Sequence, residues 1–169
     1  MNTKNTTQKI IIAALLASLT CVATMIIKIP TPLKGYINLG DCIVLLAGWS
    51  LSPFYGFLAA GIGSALADLL SGYALYTPAT FIIKGLMALI AFYVFKLLNK
   101  KIGGLFSRII SGILAELCMI LGYLIFEGVL YGFVQAAVNI PSGIIQGLAG
   151  LIFGYILIKI FNKSKITFN

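Results

Sequence analysis

The feature that most constrains this chain is a series of long apolar runs with almost no charge inside them. Ile10–Ile27, Phe54–Ser71, Ala79–Leu98, Ile109–Tyr131 and Val138–Phe161 each come close to the ~20 residues that carry a helix across a ~30 Å hydrocarbon core. In lipid the backbone must satisfy its own hydrogen bonds, and runs of this length do so as helices. A sixth run, Leu39–Leu51, holds only about 13 residues and spans ~20 Å as a helix. It is expected to be extended, tilted or partly re-entrant. Charged residues make up 9% of the chain and hydrophobic ones 60%, with a mean hydropathy of +1.07. A soluble domain is nearer a quarter charged. The sequence therefore predicts an all-α, polytopic membrane bundle of six transmembrane helices, as one lipid-embedded domain over residues 1–169.

The charges sit at the ends of these runs. Alternating sides would put the N-terminus, the Ser52-Pro53 turn, the 96–108 loop and the C-terminus together. That side carries Lys4, Lys9, Lys96, Lys100, Lys101, Arg108, Lys159, Lys163 and Lys165, against only Lys28 and Lys34 on the other. Basic residues favour the cytoplasmic face, so both termini are expected to be cytoplasmic, in the cell membrane. The net charge of +8 is thus a topology signal rather than a nucleic-acid footprint. The first run has a basic start like a signal peptide, but it is long and more spans follow, so it is read as a retained helix. Cys21, Cys42 and Cys118 are dispersed and there is no histidine. No metal or cofactor is expected, and histidine chemistry is excluded.

Within this frame the stretch Gly56–Lys84 organises the rest. Gly56, Ala60 and Ser64 recur four apart, which permits close helix approach in lipid. Asp68 then precedes a break, SGYALYTPAT, and Lys84 follows about one turn into the next run. Ionisable groups at such depth mark a site by default. Asp68, Tyr73, Tyr76, Thr80, Lys84, Glu127, Tyr131, Asn139, Ser142 and Gln146 all fall in the outer half and are the candidate substrate-binding residues. Asn139, Ser142 and Gln146 are spaced to share one helix face. Bland readings stand beside these. Asp68 and Lys84 form an ion pair between helices, the tyrosines anchor at the interface, or the amides bond between helices. Asp41 is read as a cap of the short run, and Glu116 as a neutral interhelical acid or the cavity floor. Ala13 and Ala17 either pack inside the bundle or dock a partner subunit.

Many neutral hydrogen-bonding groups with tyrosines and one cation suit a small polar molecule rather than an ion path. No phosphate-cradling loop and no dense catalytic motif is present, so an ATPase is excluded and a membrane enzyme is disfavoured. The runs NLGDCIVLLAG (Asn38–Gly48), GSALADLLSGY (Gly63–Tyr73) and PATFIIKGLMAL (Pro78–Leu89), with Pro53 and Gly56, resemble the substrate-binding S-components of energy-coupling factor (ECF) vitamin transporters. The resemblance covers almost the whole chain, in a riboflavin- or hydroxymethylpyrimidine/pyridoxine-type subgroup. It implies a non-enzymatic subunit that binds a vitamin from outside. It also implies association with a transmembrane coupling subunit and two cytoplasmic ATPases, with Ala13 and Ala17 as the docking pair and Lys28–Tyr36 as a lid. Pyridoxine or hydroxymethylpyrimidine is the expected ligand and riboflavin the alternative.

Overall fold

The computed structural model describes residues 3–31 and 35–163. The middle of the expected lid, with Lys34, and the basic tail with Lys165 lie outside the described residues. Helix α1 (Thr3–Ile26) leads into a two-residue strand pair, β1 (Ile29–Pro30) and β2 (Tyr36–Ile37). Then come α2 (Gly40–Ser50), α3 (Pro53–Leu70), α4 (Thr77–Ile102), α5 (Gly104–Tyr131), the single-turn α6 (Phe133–Ala137) and α7 (Ile140–Lys163). Five segments, Thr6–Ile26, Pro53–Leu70, Thr77–Ile102, Gly104–Tyr131 and Phe133–Lys163, are long and apolar enough to cross a membrane. Their exposed residues include Ile11, Leu15, Leu117, Leu121, Ile125, Ile145 and Ile152. That apolar outer surface suits lipid, where no polar coat is needed.

The short run becomes α2, an 11-residue helix buried from Gly40 to Trp49. It packs against α1, α3, α4, α5 and α7. Being wrapped by protein, it does not have to match the bilayer thickness. Its only ionisable side chains are Asp41 and Cys42, and the rest is apolar or small, as an all-round buried helix requires. Asp41 does not cap it: the N-cap is Leu39, with no side-chain cap bond.

The basic loop expected over 96–108 is almost wholly helical. Helix α4 runs on to Ile102 and α5 begins at Gly104. Lys100 and Lys101 fall in the last turn of α4, where cations suit the helix dipole. Gly103, at φ +79°, makes the reversal in one residue, a backbone conformation that needs glycine.

Helices α1 and α3 meet through small residues. Ala13 is buried and Ala17 half-buried, and a Cβ on Gly63 would run into the Ala17 carbonyl oxygen. Of the two readings of this pair, packing inside the bundle fits the buried Ala13, while Ala17 stays half-exposed. The exposed small residues of α1 beside them are Ala14 and Ser18.

Candidate functional site

A cavity of about 80 Å³ lies at the end of the bundle where α3 stops and α4 starts. Its cover is the β1–β2 hairpin, paired Ile29 with Ile37 and Pro30 with Tyr36, with the Thr31 N–H bonded to the Gly35 carbonyl at 2.9 Å. The hairpin places Tyr36 over the cavity, where its hydroxyl donates to Asp68 Oδ1 at 2.6 Å. Burial first, and then the contact with Asp68, push the Tyr36 hydroxyl above its ordinary range. It therefore stays a donor through the neutral range.

The chain break after α3 supplies the next wall. Gly72, at φ +84°, turns the backbone, and the Tyr73 N–H returns to the Asp68 carbonyl at 2.8 Å. The Tyr36 and Tyr73 rings lie 4.8 Å apart, and Tyr73 meets Tyr76 edge-on at 6.4 Å. Helix α5 brings Tyr123 and Glu127, one turn apart. The Tyr123 hydroxyl shares a 3.0 Å hydrogen bond with Thr80. Glu127 accepts from Tyr76 at 3.2 Å and from Asn139 Nδ2 at 2.9 and 3.1 Å.

The floor is amide. Gln146 Oε1 accepts from the Asn38 N–H at 3.0 Å, and its Nε2 donates to Asp41 Oδ2 at 2.7 Å. Beneath it lies a buried ion pair, Lys84 with Asp41, with side chains 3% and 0% exposed. Lys84 also faces Met119 Sδ at 3.0 Å and the Tyr123 ring at 5.7 Å. The hydrogen-bonded chain thus runs from Asn38, just after the hairpin, through Gln146 and Asp41 to Lys84, joining α7, α2 and α4.

Of the ten candidates, Asp68, Tyr73, Tyr76, Thr80, Glu127, Asn139 and Gln146 line the cavity. Lys84, Tyr131 and Ser142 do not. The anticipated Asp68–Lys84 pair is not formed: Asp68 faces the cavity with Tyr36, and the partner of Lys84 is Asp41, which reaches it from a helix distant in sequence. Glu116 takes the interhelical position expected of it, between α5 and α7, and not the place of a cavity floor. It lies outside the cavity lining, buried on α5 against Gly147 and Gly150, and neither carboxylate oxygen has a hydrogen-bond partner among the described residues. Tyr36, Asn38 and Tyr123 are lining residues that were not among the candidates. Tyr123 was within reach, since it stands four before Glu127 and so shares its face.

A family model described as "ECF-type riboflavin transporter, S component" matches residues 4–163. The chain belongs to this family. It is therefore an S component, a member of a transporter family rather than an enzyme family, embedded in the membrane with several passes. A solved structure described as "Structure and mechanism of the S component of a bacterial ECF transporter" shares the fold. Its TM-score is 0.75 at 23% identity, over 95% of this chain and 99% of that one. A Pyrococcus woesei protein, described as "Uncharacterized protein in gap 3'region", is 36% identical over 144 residues, 82% of this chain and 93% of its own length.

Proposed function

We propose that this S component binds riboflavin in the cavity beneath the β1–β2 hairpin, as the substrate-binding subunit of an ECF importer. The observation that carries the reading is the cavity's tyrosine-rich wall within a chain matched to the riboflavin-type family over residues 4–163. This displaces the expected pyridoxine or hydroxymethylpyrimidine, because the family description favours the larger ligand. A concave site with aromatic walls and a few convergent polar groups is the usual form of a small-molecule pocket. Tyr36, Tyr73, Tyr76 and Tyr123 offer the aromatic surface on which a flat ring system rests. Asp68 and Glu127 would accept hydrogen bonds from ligand hydroxyls or ring N–H groups, and Asn38, Asn139 and Gln146 supply both donors and acceptors.

In this reading residues 1–169 act as one membrane domain. It has six passes if α2 and the hairpin together count as one, and both termini are cytoplasmic with the basic residues. The cavity faces outward, and a coupling subunit with two ATPases supplies the energy. Purified protein stripped of ligand and titrated with riboflavin and with pyridoxine decides between the vitamins. Mass spectrometry of ligand released from freshly purified protein is expected to show a flavin. A pyridine or pyrimidine in its place would overturn the reading.

A further inference from the structure

The chain has only four acidic residues, and none of them stands at the end of the bundle opposite the cavity. Asp68 and Glu127 line the cavity, Asp41 holds Lys84, and Glu116 packs against Gly147 and Gly150 in mid-span. The opposite end is formed by the last turns of α4 and α7 and the first turns of α5. It carries Lys96, Lys100, Lys101, Arg108, Lys159 and Lys163. On α5 the acid nearest to Arg108 is Glu116, eight residues and about 12 Å of helical rise away. The counter-charge for this end therefore has to come from outside these side chains.

The five lysines are exposed and can be served by water without a fixed geometry. Arg108 is different. It is half-buried, one turn inside α5. Its guanidinium carbon lies 4.7 Å from the centre of the Phe95 ring on α4, and its Nε is buried with no hydrogen-bond partner. Tyr155 on α7 is within electrostatic reach of the guanidinium. Lys159, one turn further along α7, holds its Nζ 5.6 Å from the Tyr155 ring. Two cations thus flank one tyrosine, and one of them has its plane set by stacking on an aromatic face. A planar guanidinium with a fixed edge matches the oxygens of a phosphate, which it can bind through two parallel N–H bonds.

Depth decides which phosphate. Arg108 lies ~6 Å inside α5 by helical rise, next to Leu105 and Phe106, which are exposed on the apolar surface. An acidic protein segment would meet the lysines at the helix ends first. A lipid headgroup reaches the arginine from the side, and basic pockets between spans are where anionic headgroups settle.

We propose that Arg108, stacked on Phe95 and flanked by Tyr155 and Lys159, seats the phosphodiester of one anionic phospholipid. The site is separate from the vitamin cavity and does not depend on which vitamin fills it. The proposed orientation places it in the cytoplasmic leaflet.

The test is native mass spectrometry of the full chain in detergent, with phosphatidylglycerol and phosphatidylcholine supplied at equal concentration. One phosphatidylglycerol is expected to be retained about tenfold more strongly than phosphatidylcholine. Arg108→Gln and Arg108→Lys should each weaken it by about tenfold, the latter because an ammonium keeps the charge but loses the fork and the stacking. Lys100→Gln should stay within about twofold of the parent. The rise in thermal midpoint on adding phosphatidylglycerol should follow the same order, since a lipid bound to the folded state stabilises it. Equal retention of the two lipids would overturn the proposal. So would an Arg108→Lys protein that binds like the parent, or a Lys100→Gln loss as large as that of Arg108→Gln, because either result means a diffuse basic field. Displacement of the lipid by millimolar inorganic phosphate would reassign the site to a soluble anion. Phosphatidylglycerol binding lost only when an acidic partner subunit is added would reassign it to a protein contact.

Discussion

Replacing Lys84 with methionine isolates the strongest electrostatic commitment in the bundle. Methionine keeps most of the stem and its packing but deletes the ammonium. Asp41, fully buried, then loses its ion-pair partner and keeps only the Gln146 amide as a donor. Removing one partner of a buried pair costs about 3–5 kcal/mol, because the other charge is left uncompensated. At ~2–4 °C per kcal/mol for a chain of this size, the midpoint of thermal unfolding falls by roughly 6–20 °C. The double variant Lys84→Met/Asp41→Asn removes both charges, and the new amide oxygen still accepts from Gln146. It is expected to recover most of the loss, since a neutral replacement of a buried pair is often tolerated. Because Lys84 lies outside the cavity lining, riboflavin affinity of the double variant should shift by less than about 0.5 kcal/mol. Thermal unfolding in detergent, followed by calorimetric titration, measures both effects. A single variant as stable as the parent, or a double variant no better than the single, would refute the argument. A large loss of affinity in a stable double variant would return Lys84 to the ligand.

Gly150→Ala places a Cβ 2.8 Å from both Asp41 Cβ and Glu116 Oε1, so it should destabilise by about 1–3 kcal/mol, read from thermal unfolding. Tyr36→Phe removes the 2.6 Å bond to Asp68 and should lower riboflavin affinity by about 1.5–3 kcal/mol, with faster hydrogen exchange at Tyr36 and Ile37 in the free protein. Gly63→Leu should unfold or destabilise the isolated subunit, because a Cβ there lies 2.3 Å from the Ala17 carbonyl oxygen, whereas Ala14→Trp, at an exposed position, should leave its thermal midpoint within a few degrees of the parent. With Gly35→Cys the new thiol should react with an impermeant reagent in intact cells, and with Lys101→Cys it should not. The reverse pattern would invert the proposed orientation.

The apolar runs made the long helices legible, because lipid imposes one period and one length on every span. Polar groups could be placed by depth, which is why Asp68, Glu127, Asn139 and Gln146 emerged as candidates that do meet at one cavity. Depth says nothing of azimuth. Lys84 and Asp68 sit at similar depth on consecutive spans, yet Lys84 points inward to α2, whose central position no local pattern reveals. Small-residue spacing at Ala13 and Ala17 likewise states that something packs closely, not whether it is α3 or another chain. Boundaries failed where one residue does the turning. The density of lysine around Gly103 suggested a loop, but helices tolerate lysine well and a single glycine suffices.

The central helix also carries an optical reporter. Trp49 is the only indole in the chain, held in the core with its N–H on Ser111 Oγ at 3.0 Å. It lies eight residues along α2 from Asp41, about 12 Å of helical rise away from the cavity floor. A flavin in the cavity would touch tyrosines and never this indole. Quenching of tryptophan emission by a bound flavin would therefore be energy transfer across the bundle rather than contact, and its efficiency would be a spectroscopic ruler for how deeply the chromophore sits above the central helix.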